Sequence, residues 1–175
     1  MVDVEPTVAD AIRARNADQD REAARLVTRA LAETDLFFNY ARTHDGNYIW
    51  MLVFDGGAIN IRLTVQHGFL LGAAPVGPLP GDAELGALLK SMPLVTQVRF
   101  MVADAEGESG EALEPQLCIA GDLPVIPGIV PNRSPEEPRL AAGDVLRFVG
   151  NLIRGVQEYR KLTAVDDPTS TPPTV

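Results

Sequence analysis

The stretch from residue 37 to residue 76 constrains the fold most, because it contains short apolar runs separated by turn residues. Within it, Ile59–Gln66 alternates apolar and polar residues with a period of two, which indicates a strand buried on one face only. Asp45-Gly46, Gly56-Gly57 and Gly68 lie between the runs, and residues of these types favour tight turns. Strands joined by tight turns pair antiparallel, so the stretch predicts an antiparallel sheet of three or four strands.

Three helices are predicted around these strands. Residues 7–34 contain no glycine or proline, and Val27 and Leu31 belong to an apolar stripe with helical spacing. Helix-forming residues are fewer at 16–20, which is a candidate break in this helix. A short helix is predicted over 82–92. The last helix is predicted over 139–163, where apolar residues recur at intervals of three and four.

Two further strands are predicted over 95–123, where two apolar runs flank the polar loop 104–114. Five prolines at 124–138 exclude a helix or a central strand there, and 166–175 is predicted to be a disordered tail. The predicted order is therefore α-β-β-β-α-β-β-α. We expect an α+β fold in a single domain over residues 1–165, with an antiparallel sheet and helices mainly on one side of it.

Composition limits the partners and the compartment. The chain has 175 residues, of which 46% are hydrophobic and 22% charged, as in one soluble domain. No apolar run reaches the roughly 20 residues of a membrane helix, the first residues do not have the pattern of a signal peptide, and the single cysteine excludes a disulfide framework. We expect a cytoplasmic protein. The net charge of −9 opposes binding to nucleic acid or to an anionic membrane surface.

Catalysis requires titratable side chains that converge, and the sequence shows no spacing typical of such a site. His44 and His67 both lie beside predicted turns, which is typical of solvated residues. Cys118 lies in an apolar run, which indicates a small buried side chain rather than a nucleophile. The acidic residues at 104–108 lack the spacing of a calcium-binding loop. We therefore expect no enzyme activity, no metal ion and no cofactor.

The segment Tyr48–Phe54 differs from its neighbour because both of its faces are apolar. A strand of this kind must be covered twice, whereas helices on one side cover it once. The second cover is a helix of the same chain, a second subunit or a client segment. Aromatic residues and methionine are enriched in interface cores. The predicted partner or dimer surface therefore consists of Tyr48, Trp50, Leu52, Phe54 and Met51.

The order of elements resembles the YbjN-like and class I type III secretion chaperone (CesT-like) superfamily. The resemblance is one of pattern, without a signature motif, and covers roughly residues 18–164. It rests on Asn47–Phe54, Ile59–Gln66, Phe69–Val76, Asp82–Met92, Val95–Val102, Gln116–Leu123 and the closing helix through Glu158–Leu162. The resemblance implies an acidic, non-enzymatic homodimer that holds an unfolded client segment on its sheet and helix surfaces. The proline-rich segment and the tail are longer than this resemblance leads us to expect.

Three functions are compatible with these patterns. The leading hypothesis is a chaperone-like or adaptor protein that binds a protein partner through apolar sheet or helix surface. The second is a regulatory or structural subunit of a larger complex, which docks through the acidic loop 104–114. The third is a small-molecule binder or enzyme with a pocket between the last helix and the sheet.

Overall fold

The computed structural model describes residues 7–43, 46–91, 98–106, 112–125 and 140–164 of the chain. Runs of consecutive antiparallel strands lie between the helices, as is typical of an α+β fold, and the predicted fold class is confirmed. In chain order the elements are α1 (Val8–Ala32), β1 (Phe38–Arg42), β2 (Tyr48–Phe54), β3 (Ile59–Gln66), β4 (Phe69–Pro78), α2 (Asp82–Ser91), β5 (Val98–Glu106), β6 (Ala112–Pro124) and α3 (Ala142–Ala164).

The six strands form one antiparallel sheet in the order β1-β2-β3-β4-β6-β5. Tight turns join the first strands. His67 and Gly68, between β3 and β4, have φ angles of 53° and 77°, and two positive φ angles are what a type I′ hairpin turn requires. The connection through α2 then leads to the far edge of the sheet, where β5 forms, and β6 returns between β4 and β5.

The first block contains four strands, within the three or four expected for residues 37–76, although the order α-β-β-β-α-β-β-α counts only three. β1 is the additional strand and lies at the edge of the sheet. β4 continues through Pro75 to Pro78, although proline disfavours a central strand. The register of β4 against β6 shifts between Pro75 and Gly77. Pro75 therefore lies at a bulge, where proline is tolerated. The candidate break at 16–20 is absent, since α1 is continuous.

The helices α1 and α3 pack on the same face of the sheet, as expected. Their apolar stripes meet the inward-facing side chains of the strands and form the core. The buried helix residues are Ala23, Ala24, Leu26, Val27, Ala30 and Leu31 in α1 and Val145, Phe148, Val149, Leu152 and Val156 in α3.

The helix α3 lies close to the sheet because a glycine is present at each of two contact points. A Cβ atom at Gly72 in β4 would lie 2.6 Å from Leu152 Cδ1, and a Cβ atom at Gly155 in α3 would lie 2.7 Å from Ile119 Cγ2. Both distances are shorter than van der Waals contact, so any larger residue would push the helix and the sheet apart. Gly150, on the same helix, has open space around its Cα.

Polar contacts attach both helices to turns of the sheet. In α1, Asp20 Oδ1 accepts a hydrogen bond of 2.9 Å from the backbone N–H of Gly68. The carbonyl of Gly68 accepts a second hydrogen bond, 3.0 Å long, from the N–H of Val125 after β6. In α3, Arg160 Nη2 donates to the carbonyl of Ala58 at 2.6 Å. The turns are therefore held by the helices as well as by their own strands.

Several predicted segments lie outside the described residues. They are the turn residues His44-Asp45, the predicted end of the short helix at 92, the predicted start of the hairpin at 95–97, the loop tip 107–111, the proline-rich segment from 126 onward, the predicted start of the last helix at 139, and the tail 166–175.

We expect Gly155→Ala to destabilise the protein by about 1 kcal/mol or more, because the new methyl group meets the buried and conformationally stiff side chain of Ile119. Gly150→Ala is the matched control on the same helix. It should stabilise the protein by about 0.5–1 kcal/mol, because alanine has the higher helix propensity. Urea unfolding followed by circular dichroism measures both changes. Equal effects of the two substitutions would contradict the close packing of α3.

We expect Asp20→Ala to lower the free energy of unfolding by about 1–2 kcal/mol, since it removes the acceptor of the Gly68 N–H. Asp18→Ala is the control on the same helix. Its ion pair with Arg21 is solvent-exposed, so the change should stay within about 0.5 kcal/mol. Urea unfolding of both variants tests this, and a loss as large for Asp18→Ala would refute the role of Asp20.

Candidate interaction surface

The face of the sheet opposite α1 and α3, named here the open face, carries the side chains of alternate strand residues. On β3 the open-face residues Asn60, Arg62 and Gln66 are exposed, while the intervening residues are buried. On β2 the open-face residues are apolar, and Met51 and Val53 are 36% and 46% exposed. Because both faces of β2 are apolar, this strand leaves hydrophobic side chains exposed to solvent. The amphipathic strand β3 exposes polar side chains instead.

A groove of about 410 Å³ crosses the open face over β3, β4, β6 and β5, and we name it the open-face groove. Short side chains form its floor, and longer side chains from neighbouring positions form its walls. The lining residues are Arg62, Thr64, Leu71, Gly72, Ala73, Pro75, Arg99, Met101, Ala103, Gln116, Cys118, Ala120 and Gly121. Within the described ranges, the lining contains two arginines and no carboxylate.

The register of the strands places four of these residues in one row across the sheet. Arg62 pairs with Ala73, Ala73 pairs with Ala120, and Ala120 pairs with Arg99. Neighbouring strands lie about 4.8 Å apart, so the Cα atoms of the two arginines are separated by about 14 Å. Two cationic side chains thus flank two alanines, whose small side chains leave the space of the groove.

The two arginines differ in their partners. Arg99 Nη1 forms an ion pair with Asp122 Oδ1, the residue next to Gly121 on β6. Among the residues that the structure describes, Arg62 makes no ion pair. The groove therefore has one guanidinium group that is already paired with a carboxylate and one that faces solvent.

The floor of the groove contains Cys118, whose side chain is turned to the open face yet is only 2% exposed. Its Sγ atom lies 4.0 Å from the carbonyl oxygen of Gln116, which is at most a weak hydrogen bond. Burial raises the pKa of the Cys118 thiol, because the apolar surroundings disfavour the thiolate. The thiol is therefore protonated at neutral pH and is a poor nucleophile.

The structure separates the five residues of the predicted partner surface. Trp50 and Leu52 have no exposed area and belong to the core, so their assignment to a partner surface is wrong. Their side chains point to the face that α1 and α3 cover, and the chain's own helices bury them. Tyr48 and Phe54 are partly buried against the same core. Met51 alone of the five lies on the open face; whether a partner covers it stays a prediction.

Aromatic packing explains how the chain buries its single tryptophan. The Trp50 ring centroid lies 5.7 Å from that of Tyr40 on β1 and 6.5 Å from that of Tyr48 on β2. These distances are typical of favourable ring pairs. β1, the strand that the shorter predicted order omits, thus supplies part of the tryptophan's cover.

Sequence patterns did not identify Arg62 and Arg99 as candidate site residues. In the sequence, Arg62 is one polar residue of an alternating strand and Arg99 stands beside apolar residues of another. Only the pairing of β4 with β6 places Arg62 and Arg99 in one row across the sheet. The open-face position of Arg62 could have been inferred from the alternation of β3, but its distance from Arg99 could not.

The third hypothesis places a ligand pocket between α3 and the sheet, and packed side chains occupy that space around Gly72 and Gly155. His67 lies in the β3–β4 turn and is exposed, in agreement with the prediction of a solvated turn residue. In the described ranges, no group of three or more His, Cys, Asp and Glu residues is arranged to hold a metal ion. No helix in those ranges has the length and apolar character needed to cross a bilayer.

Comparison with known protein-family models and with curated proteins finds no match.

We expect Cys118 to react with iodoacetamide more slowly in the native protein than in the urea-unfolded chain, because burial both restricts access and raises its pKa. In the folded state, the Cys118 thiol keeps its proton at pH values at which the thiol of the unfolded chain ionises. The free energy of unfolding should therefore fall as the pH rises from the ordinary thiol pKa towards the raised one. Mass spectrometry measures the alkylation of this single cysteine. Equal rates in both states would contradict its burial.

Proposed function

We propose that this chain is a non-enzymatic, protein-binding domain of the chaperone or adaptor type, which holds a partner through the open face of its sheet. The observation that supports this most is the one-sided cover of the sheet by the long helices α1 and α3 in the part of the chain that the structure describes. α1 and α3 lie on one face, while Met51, Val53 and Met101 remain between 36% and 46% exposed on the other. Apolar residues grouped on an exposed face are typical of interaction sites.

The character of the groove favours binding over catalysis. Its lining combines apolar side chains with arginine, threonine and glutamine, and its thiol is held in the protonated form. General acid–base catalysis uses groups that gain and lose a proton near neutral pH. Arginine does not do so, and it serves instead to position an anionic group.

The proposal includes a relationship to the YbjN-like and type III secretion chaperone-like proteins and, with it, a homodimer. The order of elements in the fold supports the relationship. Seven elements follow the order on which the resemblance rests: β2, β3, β4, α2, β5, β6 and α3. β1 is an addition at the edge of the sheet. A cytoplasmic location is part of the same proposal.

Affinity purification from the native host tests the binding surface. We expect Met51→Glu and Met101→Glu each to reduce recovery of the co-purifying protein by about tenfold, because a charge is placed in an apolar contact. Leu146→Glu is the matched control, since Leu146 is an exposed apolar residue on α3, away from the open face. Circular dichroism confirms that each variant is folded.

Two outcomes would contradict the proposal. Retention of the partner by both methionine variants would exclude the open face as the binding surface. Loss of the partner on Glu114→Lys alone would favour docking through the acidic loop instead. The homodimer is tested separately by light scattering, where a mass of twice 18.8 kDa is expected and a mass of 18.8 kDa would exclude it.

A further inference from the structure

The open-face groove has a charge opposite to that of the whole chain. The chain has a net charge of −9, whereas the described residues that line the groove include Arg62 and Arg99 and no aspartate or glutamate; Asp122, the partner of Arg99, is not part of the lining. A segment that is held there meets the guanidinium group of Arg62, unpaired among the described residues, at one end of the row, Arg99 with its partner Asp122 at the other end, and an apolar floor between them. Charge complementarity of this kind selects the partner and its register.

The spacing of the row specifies the partner further. The Cα atoms of Arg62 and Arg99 are about 14 Å apart across three strand intervals. In an extended peptide, residues i, i+2 and i+4 point to the same side, and residues i and i+4 are separated by about 13 Å. Acidic residues at i and i+4 of an extended segment that crosses the strands therefore match the two arginines.

The floor of the groove predicts the type of residue that lies between the two acidic residues of the bound segment. Ala73 and Ala120 lie between the arginines, with Leu71 and Met101 among the other lining residues. An apolar side chain at position i+2 would lie over the alanines and be surrounded by apolar atoms. Burial of an aliphatic side chain of this size contributes favourable free energy, while the arginines supply the orientation.

We propose, resting on the proposed protein-binding function, that the open-face groove binds an extended segment of a partner protein with the pattern acidic–any–apolar–any–acidic. Arg62 receives one carboxylate. Arg99 receives the other by exchanging Asp122, and this exchange costs little because both members of the pair are substantially exposed, at 60% and 40%.

A fluorescent, end-blocked nonapeptide tests the pattern by anisotropy. It has glutamate at its third and seventh positions, leucine at its fifth, and serine or glycine elsewhere; the matched peptide has glutamine in place of both glutamates. We expect the wild-type protein to bind the glutamate peptide about tenfold more tightly than the glutamine peptide. Equal binding of both peptides, or binding of neither, would overturn the inference.

Variants of the protein assign the contacts. We expect Arg62→Gln and Arg99→Gln each to weaken binding of the glutamate peptide by about three- to tenfold. Asp122→Asn should strengthen it by about threefold, because it releases Arg99 from its internal partner. Arg147→Gln, at an exposed position on α3, is the control and should leave binding unchanged. An unchanged affinity in both groove variants would overturn the inference.

The two proposals fail in different ways. If the methionine variants lose the native partner but the groove arginines do not affect peptide binding, the protein-binding function stands and the acidic pattern is wrong. If Arg62→Gln changes the mass in light scattering and no peptide binds, a second copy of the chain occupies the groove, which also overturns the acidic pattern.

Discussion

The close contact between α3 and the centre of the sheet depends on the absence of a side chain at Gly72 and at Gly155. These two glycines allow Phe148 and Leu152 to pack directly against β4, and Ile119 against the helix backbone. α1 packs beside α3 on the same face, and the buried stripes of both helices share one core. Both long helices are therefore committed to one side of the sheet, and the open face receives cover from neither.

Because the two long helices cover only one face of the sheet, the side chains that alternate strand residues place on the other face form a candidate binding surface. In β2 every side chain is apolar, so burial of Trp50 and Leu52 beneath the helices leaves Met51 and Val53 exposed. The groove has a different origin. Ala73 and Ala120 are short, and the residues at neighbouring row positions are long, so a depression forms where β4 and β6 pair. The hydrophobic surface and the two arginines thus occupy one continuous face without any special loop.

Much of the fold could be predicted from local patterns. The alternation of Ile59–Gln66 predicts both the strand and the faces of its residues, and the helical spacing around Val27 and Leu152 predicts which residues of α1 and α3 enter the core. The two faces of Tyr48–Phe54 could not be predicted in this way. Because every side chain there is apolar, its pattern does not distinguish the face covered by helices from the face that stays open. The choice of Trp50 as a partner contact was wrong for this reason.

By itself, the sequence determined the type and approximate position of most helices and strands, since hydrophobic periodicity and turn residues act over a few neighbouring positions. It also determined the acidic net charge and the small, apolar setting of Cys118. Only the tertiary structure decided which face of β2 is covered and which residues of distant strands share a row. Strand pairing joins residues far apart in the chain, and the register of β4 against β6 depends on the whole sheet. Arg62 and Arg99 therefore became a pair only on folding, and the open face around Met51 became a candidate surface only once both helices had packed on the other side.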